Sequence, residues 1–311
     1  MSVVIERKVR FLIVSLISIT VLFGVIESYA GLSKFAETIL SVNLFLFFLS
    51  DLPYFIQALT MGLRLKLCFQ KIGIKISFKN AFLSHLTGMF FSNFSMGRTG
   101  YLAASLPVET GFDKSLGVVS TTVAIDAIFK GFAGGLSIII FSFIFFPYEF
   151  TLVGIAVSVL MAGGGALFLL YMWKDITLLE DIVKKIPRFG DKLLTFLEGW
   201  KKSIRELKGF VLMIFMFPCI GLILRGFEWC ILSQACGFYL SVPLAMLLHP
   251  MLTILRLIPV TLSGLGVFEF ALISILPEYP KASLMVFGIL DMINNAFVDA
   301  LGLLALKRRK T

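Results

Sequence analysis

The sequence predicts an all-α polytopic membrane protein: six full spans plus two re-entrant helical hairpins, eight membrane segments in an inverted repeat. Three observations predict it. The 311 residues are 58% hydrophobic and 14% aromatic, with a mean hydropathy of +0.96 and 33 phenylalanines. A soluble chain of this length keeps more polar surface than that. Two glycine-broken segments match each other, Gln70–Gly100 and Gln234–Gly264. At a shift of 164 positions Gln70, Gly73, Ser77, Ala81, Leu83, His85 and Gly100 meet Gln234, Gly237, Ser241, Ala245, Leu247, His249 and Gly264, seven identities in 31 positions. Matched, interrupted apolar segments in two halves mark the binding region of many transporters. The third observation is the one-sided placement of lysine and arginine.

Six apolar stretches are long enough to cross a core of about 30 Å at about 1.5 Å per residue. They are 11–27, 40–62, 117–146, 150–172, 210–234 and 284–306. The first follows Arg7, Lys8 and Arg10 and has no small-residue cleavage site, so it reads as an uncleaved helix rather than a signal peptide. Two further pieces, 78–110 and 242–276, turn at SMGRTG and PVTLSGLG. Their return arms of about 8–10 residues reach only ~12–15 Å as helix, which predicts re-entrant hairpins. Irregular backbone at their tips requires protein or water around it. By segment order the chain reads span, span, hairpin, span twice. Three crossings per unit is odd, so the second unit is inverted. The charged, amphipathic stretch 173–208, with Pro187 and Gly190, reads as a cytoplasmic interfacial linker. It divides the chain into 1–172 (spans 1–4 and hairpin 78–110) and 209–311 (hairpin 242–276, last span 284–306 and basic tail).

With the N-terminus inside, the cytoplasmic segments hold 22 of the 28 basic residues. These are Arg7, Lys8, Arg10, Arg64, Lys66, Lys71, Lys75, Lys79, Lys114, nine between Lys174 and Lys208, and the four from Lys307 to Lys310. The outer segments hold Lys34 and Lys281. The positive-inside rule then places the chain in the cytoplasmic membrane, multi-pass, with both termini cytoplasmic. Basic loops against an anionic leaflet account for the net charge of +9 and exclude a nucleic-acid partner. Cys68, Cys219, Cys230 and Cys236 have neither metal-ligand nor disulfide-framework spacing. No phosphate-binding Walker loop, dinucleotide loop, HExxH or nucleophile elbow is present. No cofactor, metal or ATP-driven step is expected of this chain.

The hairpin tips carry the first candidate site. Helices starting after Gly100 and Gly266 would aim free N–H groups and positive dipole ends inward, where they hold an anion such as phosphate. Arg98 lies in the first tip between glycines and Arg256 just before the second. A charge at the bilayer centre costs about 2.5–3.5 kcal/mol on insertion scales. Both arginines are therefore assigned either to substrate or to an ion pair inside the bundle. Asp126, in the third span, either pairs with Lys130 at i,i+4 or joins a cation, proton or amine site. Asp291, Asn294, Asn295 and Asp299 form one polar stripe on the last span. That stripe serves either a coupling or amine site or interhelical hydrogen bonding. Glu269 stands at the first turn after the second tip, as substrate contact or helix-start stabiliser. Arg225 and Glu228 are spaced for an internal ion pair. His85 and His249 sit one per hairpin, either as satisfied buried groups or as a proton-linked pair.

GRTGY followed by an Asp-bearing span, and PVTLSGLGVFE followed by a polar span, resemble the transmembrane region of the lysylphosphatidylglycerol synthase and flippase family. The family includes the membrane half of the multiple peptide resistance factor. The resemblance covers about Arg10 to Leu306. In two-part bacterial members it implies flipping of aminoacylated phospholipid by the membrane half and lysine transfer from tRNA by a separate soluble domain. This chain stops at Thr311 after a basic tail, so by resemblance it is a stand-alone member and not a lysyltransferase. The resemblance implies a site at Gly97, Arg98, Gly100, Pro259, Ser263, Gly264, Gly266 and Glu269. Its partner would be a membrane phospholipid or lipid-linked substrate, with a separate lipid-modifying enzyme beside it. The expected function is flippase-like transport of a lipid headgroup between leaflets. An intramembrane lipid-modifying enzyme, an accessory subunit of a glycosyltransferase and a small-solute transporter are the alternatives.

The topology is checked by cysteine accessibility in intact cells. Single cysteines in 28–38 and 277–283 should label from outside. Outside labelling of 173–208 would overturn the orientation.

Overall fold

The structure, a computed structural model, describes residues 2–93, 95–108, 111–142, 148–174, 176–184, 190–256 and 264–307. These residues are helical, with no strand among them. The helices are α1 (Ser2–Tyr29), α2 (Leu32–Leu40), α3 (Leu44–Lys71) and α4 (Phe78–Asn93), then a 3-10 segment (Met96–Ser105). There follow α5 (Phe112–Ser142), α6 (Tyr148–Trp173), α7 (Leu178–Lys184), α8 (Gly190–Glu206), α9 (Val211–Ala235), α10 (Val242–Arg256) and α11 (Val267–Ile275). The chain closes with α12 (Lys281–Asp299), a 3-10 turn (Ala300–Gly302) and α13 (Leu303–Lys307). Five helices are long and apolar enough to cross a membrane. A sixth crossing results if α1 and α2, bent by 96°, count as one span.

Three boundaries differ from the sequence expectation. The second span does not stop at 62: α3 continues to Lys71, because no proline or glycine lies between Gly62 and Gly73. The stretch 28–38, expected as a loop, holds most of α2, turned off α1 at Gly31, whose φ is 77°. The first return arm begins at Met96 rather than after Gly100.

The repeat seen in the sequence has a local structural counterpart. Gly73 and Gly237 end α3 and α9 with φ of 76° and 82°, left-handed backbone that favours glycine. In the first copy the Gly73 and Ile74 N–H groups donate to Gln70 and Phe69 carbonyls at 3.0 and 2.9 Å. In the second, Gly237 and Phe238 donate to Gln234 and Ser233 at 3.2 and 3.0 Å, the same bonds 164 positions later. Helices α4 and α10 then begin alike, Ala81 donating to Ser77 and Ala245 to Ser241.

Helices α4 and α10 each pack against an element distant in sequence. Helix α5 meets α10, where a side chain at Gly134 would run into Ile254. The turn after α12 meets α4, where a Cβ at Gly302 would stand 2.3 Å from the Thr87 backbone nitrogen. Thr87 Oγ1 donates to the Gly302 carbonyl at 2.8 Å across that contact. Besides a small cluster of Tyr54, Ala58, Leu86 and Val298, two large apolar cores result. One joins Leu65, Phe69, Val118, Val119, Ile125 and Met172; the other joins Ile26, Trp229, Leu248, Phe268, Leu284 and Phe287. The linker helix α8 lies on the start of α5, with Trp200 Nε1 donating to Ser120 Oγ at 3.2 Å. Lys201 ties α8 to α7 through Glu180 at 2.5 Å. Large apolar side chains cover the outside, among them Leu40, Phe45, Phe132, Leu160 and Leu212, as a lipid-facing surface requires.

Gly302→Val should lower thermal stability in detergent by about 1–3 kcal/mol, the usual cost of overpacking. Gly24→Ala, where nothing lies within 4 Å, should leave the melting temperature unchanged.

Candidate functional site

Near the middle of the helices a cavity of about 520 Å³ opens between the two units. Its charged and polar wall includes Arg64 and Gln57 from α3, His85 from α4, Tyr101 from the 3-10 segment, Asp126 and Lys130 from α5, Arg225 from α9 and His249 from α10. Both histidines face one space, although 164 positions separate them.

Arg64 is the group the sequence reading misplaced. Its place in the chain groups it with the cytoplasmic basic residues, yet it is 1% exposed and points at Asp126. Its two terminal nitrogens donate to the two Asp126 oxygens at 2.5 and 2.9 Å, the bidentate geometry guanidinium favours. Helical spacing carries the missing signal. Met61, Leu65 and Cys68 surround Arg64 on the same side of α3 and are all buried, while Lys71 falls at the helix end. Asp126 thus spends its carboxylate on an arginine from another helix. His85 Nδ1 and the Tyr101 hydroxyl are 2.8 Å apart, which anchors the 3-10 segment to α4.

The second unit builds a similar assembly. Arg225 and Glu228 form the ion pair that their spacing predicts, both buried. Arg225 also donates to Asn295 Oδ1 at 2.7 Å and to His249 Nε2 at 3.0 Å, and it lies 4.9 Å over the Tyr54 ring. Asp291 lies 3.9 Å from Arg225 and accepts from Trp229 Nε1 at 2.8 Å. Each arginine of a second span therefore faces an aspartate of the following last span.

The polar stripe of α12 does not line the cavity. Asp291, Asn294 and Asp299 are fully buried and Asn295 nearly so. Asn294 bonds Ser50 at 3.1 Å, and Asp299 accepts from Tyr54 and Asn93, both at 2.8 Å. These bonds fasten α12 to α3, α4 and α9, the interhelical role weighed for the stripe. Glu269 is likewise a helix-start group. Its carboxylate accepts the Gly266 N–H at 2.7 Å, with Gly266 at φ 81°. The N-terminus of α11 is thus met by its own chain, as is Gly100, whose N–H donates to Ser95 Oγ at 2.7 Å. Gly264 is buried at φ 76°. Gly97 lies in the 3-10 segment. Pro259 and Ser263, and the side chains of Arg98 and Arg256, lie outside the described residues. No cluster of three or more His, Cys, Asp or Glu suited to a metal occurs among the described residues.

Apolar helices of spanning length around an interior cavity that holds charged side chains among apolar ones define a multi-pass helical membrane protein. The chain belongs to the family of the lysylphosphatidylglycerol synthase TM region, whose model matches residues 9–302. That membership ties it to membrane-lipid biology. No curated protein and no solved structure matches it.

Asp126→Asn should leave Arg64 charged and underpaired. Removing one partner of a buried pair costs about 3–5 kcal/mol, so the detergent melting temperature should fall sharply. Replacing both residues, Arg64→Met with Asp126→Leu, should recover most of that loss.

Proposed function

We propose that this protein moves a phospholipid or lipid-linked headgroup between the leaflets of the cytoplasmic membrane. The observation that carries the reading is the cavity. Lys130 is near the middle of the 31-residue α5, and His85, Arg225 and His249 are likewise mid-helix. Ionisable side chains at that depth mark a substrate path or a water-filled space inside the bundle rather than lipid contact. A lipid headgroup fits such a space. The rim supports the same reading. Val157, Leu160 and Met161 of α6 border the chamber, and Leu160 is 73% exposed. An apolar rim open to the surface lets acyl chains remain in lipid while the headgroup enters.

In this reading the two units form an inverted repeat of eight membrane segments, with hairpin tips meeting near the midplane. Both termini and α7–α8 are cytoplasmic. The exchange of hairpins between units makes α4 and α10 the elements that couple the two sides of the cavity. Alternating access then amounts to rocking one interlocked unit against the other. The chain itself carries out no covalent chemistry. A separate lipid-modifying enzyme would make or consume the transported lipid.

The test is transbilayer movement of tail-labelled phospholipids in proteoliposomes. Losing one charge-assisted contact costs about 1.5–3 kcal/mol, so Lys130→Gln should slow transport by roughly tenfold or more, and Lys130→Arg, which keeps the charge, should restore most of it. Movement no faster than in protein-free vesicles would remove the transport reading. Conversion of a lipid substrate without movement would favour the intramembrane enzyme.

A further inference from the structure

We propose that Glu228 and Asp291 hold one proton between them beside Arg225, taken up when a lipid phosphate engages Arg225, so that lipid movement is coupled to protons. This inference rests on the transport reading and adds its coupling ion. It follows from a charge balance that differs between the two arginines. Arg64 meets one carboxylate, and its two terminal nitrogens hold both Asp126 oxygens. Arg225 meets two. Its Nη1 donates to Glu228 Oε2 and lies 3.9 Å from Asp291 Oδ1. Glu228 and Asp291 are fully buried, and Arg225 nearly so.

Two carboxylates beside one guanidinium leave a surplus negative charge away from water. Such a charge is costly, and neighbouring carboxylates relieve the cost by sharing a proton. The hydrogen bonds agree. Glu228 Oε1 is buried and has no donor among the described residues, although an ionised carboxylate oxygen at low dielectric requires one. The groups around the cluster add no cation. Asp51 and Tyr54 face it from α3, and Asp299 accompanies Asp291 on α12 and accepts from Tyr54. From α10 comes His249, whose Nε2 accepts from Arg225. Across the cavity α5 presents Asp126, held by Arg64, and Lys130.

Of Arg225, Glu228 and Asp291, it is Arg225 that lines the cavity. A phosphate reaching it competes with Glu228 for the same guanidinium. A proton on Glu228 loosens that hold and favours the phosphate. A phosphate that takes the guanidinium leaves the two carboxylates less compensated and favours the proton. By linkage each binding strengthens the other by the same factor. Every phospholipid headgroup carries the phosphate, so the coupling is indifferent to what else the headgroup bears.

The experiment uses the full chain in phosphatidylcholine vesicles, with tail-labelled phosphatidylglycerol, phosphatidylethanolamine and lysylphosphatidylglycerol as separate probes. Whichever probe outpaces protein-free vesicles should move at least about fivefold faster at about pH 5.5 than at about pH 8, the lower end of usual coupling. Glu228→Gln, whose amide stands in for the protonated acid, leaves Arg225 balanced by Asp291 and should move lipid at the acid rate at every pH. Asp291→Asn leaves Arg225 balanced by Glu228 and should also lose the pH response, at the slow alkaline rate. A flat profile in the unaltered protein would overturn the proton site and leave the transport reading standing. An unaltered pH response in either folded variant would place the titrating group elsewhere and overturn the assignment. Movement of no probe above protein-free vesicles would overturn both readings. An arm without variants uses the purified protein in weak buffer with a short-chain form of the lipid that moves. Binding should take up about one proton per chain, and no uptake would overturn the proposal.

Discussion

The constraint on which this structure depends is the neutralisation of two guanidinium groups inside an apolar bundle. Arg64 and Arg225 are 1% and 6% exposed. A charge removed from water needs an opposite charge and satisfied hydrogen bonds, or it destabilises the fold by several kcal/mol. Asp126 on α5 and Glu228 on α9 meet that need, and Asp291 on α12 stands near the second pair. Meeting it decides which helices must touch. Helix α3 is held to α5 through Arg64, and α9 to α12 and α10 through Arg225, Asn295 and His249.

Packing completes the arrangement by exchanging partners between the units. The approach of Gly134 to α10 and of Gly302 to α4 removes side chains where backbones come close. Bonds such as Tyr54 to Asp299 then cross from α3 to the end of α12. In lipid there is no hydrophobic drive between helices comparable with that in water, so close packing and interhelical hydrogen bonds carry the association. A chamber remains where cationic side chains from both units prevent the wall from closing as dry apolar contact. Fold stability and the candidate site therefore share the same residues, and Arg225 belongs to both.

The sequence was most legible where a pattern is local. Hydropathy located the long helices, because a spanning helix satisfies its backbone internally and announces itself by composition, but it missed the start of α1 at Ser2 and the end of α3 at Lys71. The Arg225–Glu228 pair and the helix-start role of Glu269 also follow from spacing along one helix. Arg64 was obscured by its neighbours. Lys66, Lys71, Lys75 and Lys79 follow it, and a count along the chain groups it with them. Only the helical face it shares with Met61, Leu65 and Cys68 separates it from that group. Asp126 had Lys130 as a local partner, and the winning partner lies 62 positions away.

What the sequence determined by itself was the class of protein, the long helices, the matched glycine-bearing turns at Gly73 and Gly237 and the family membership. Each is written in composition or in short-range periodicity, which the chain carries before it folds. The tertiary structure alone decided which charges face the chamber and which stand behind it. It brought His85 and His249 to one space and turned the α12 stripe onto α3, α4 and α9. It also gave the Asp126 carboxylate to Arg64. The physical reason is that the partner of a buried charge is chosen by proximity in three dimensions at low dielectric, where a distant residue at 2.5–2.9 Å outweighs a neighbour in sequence.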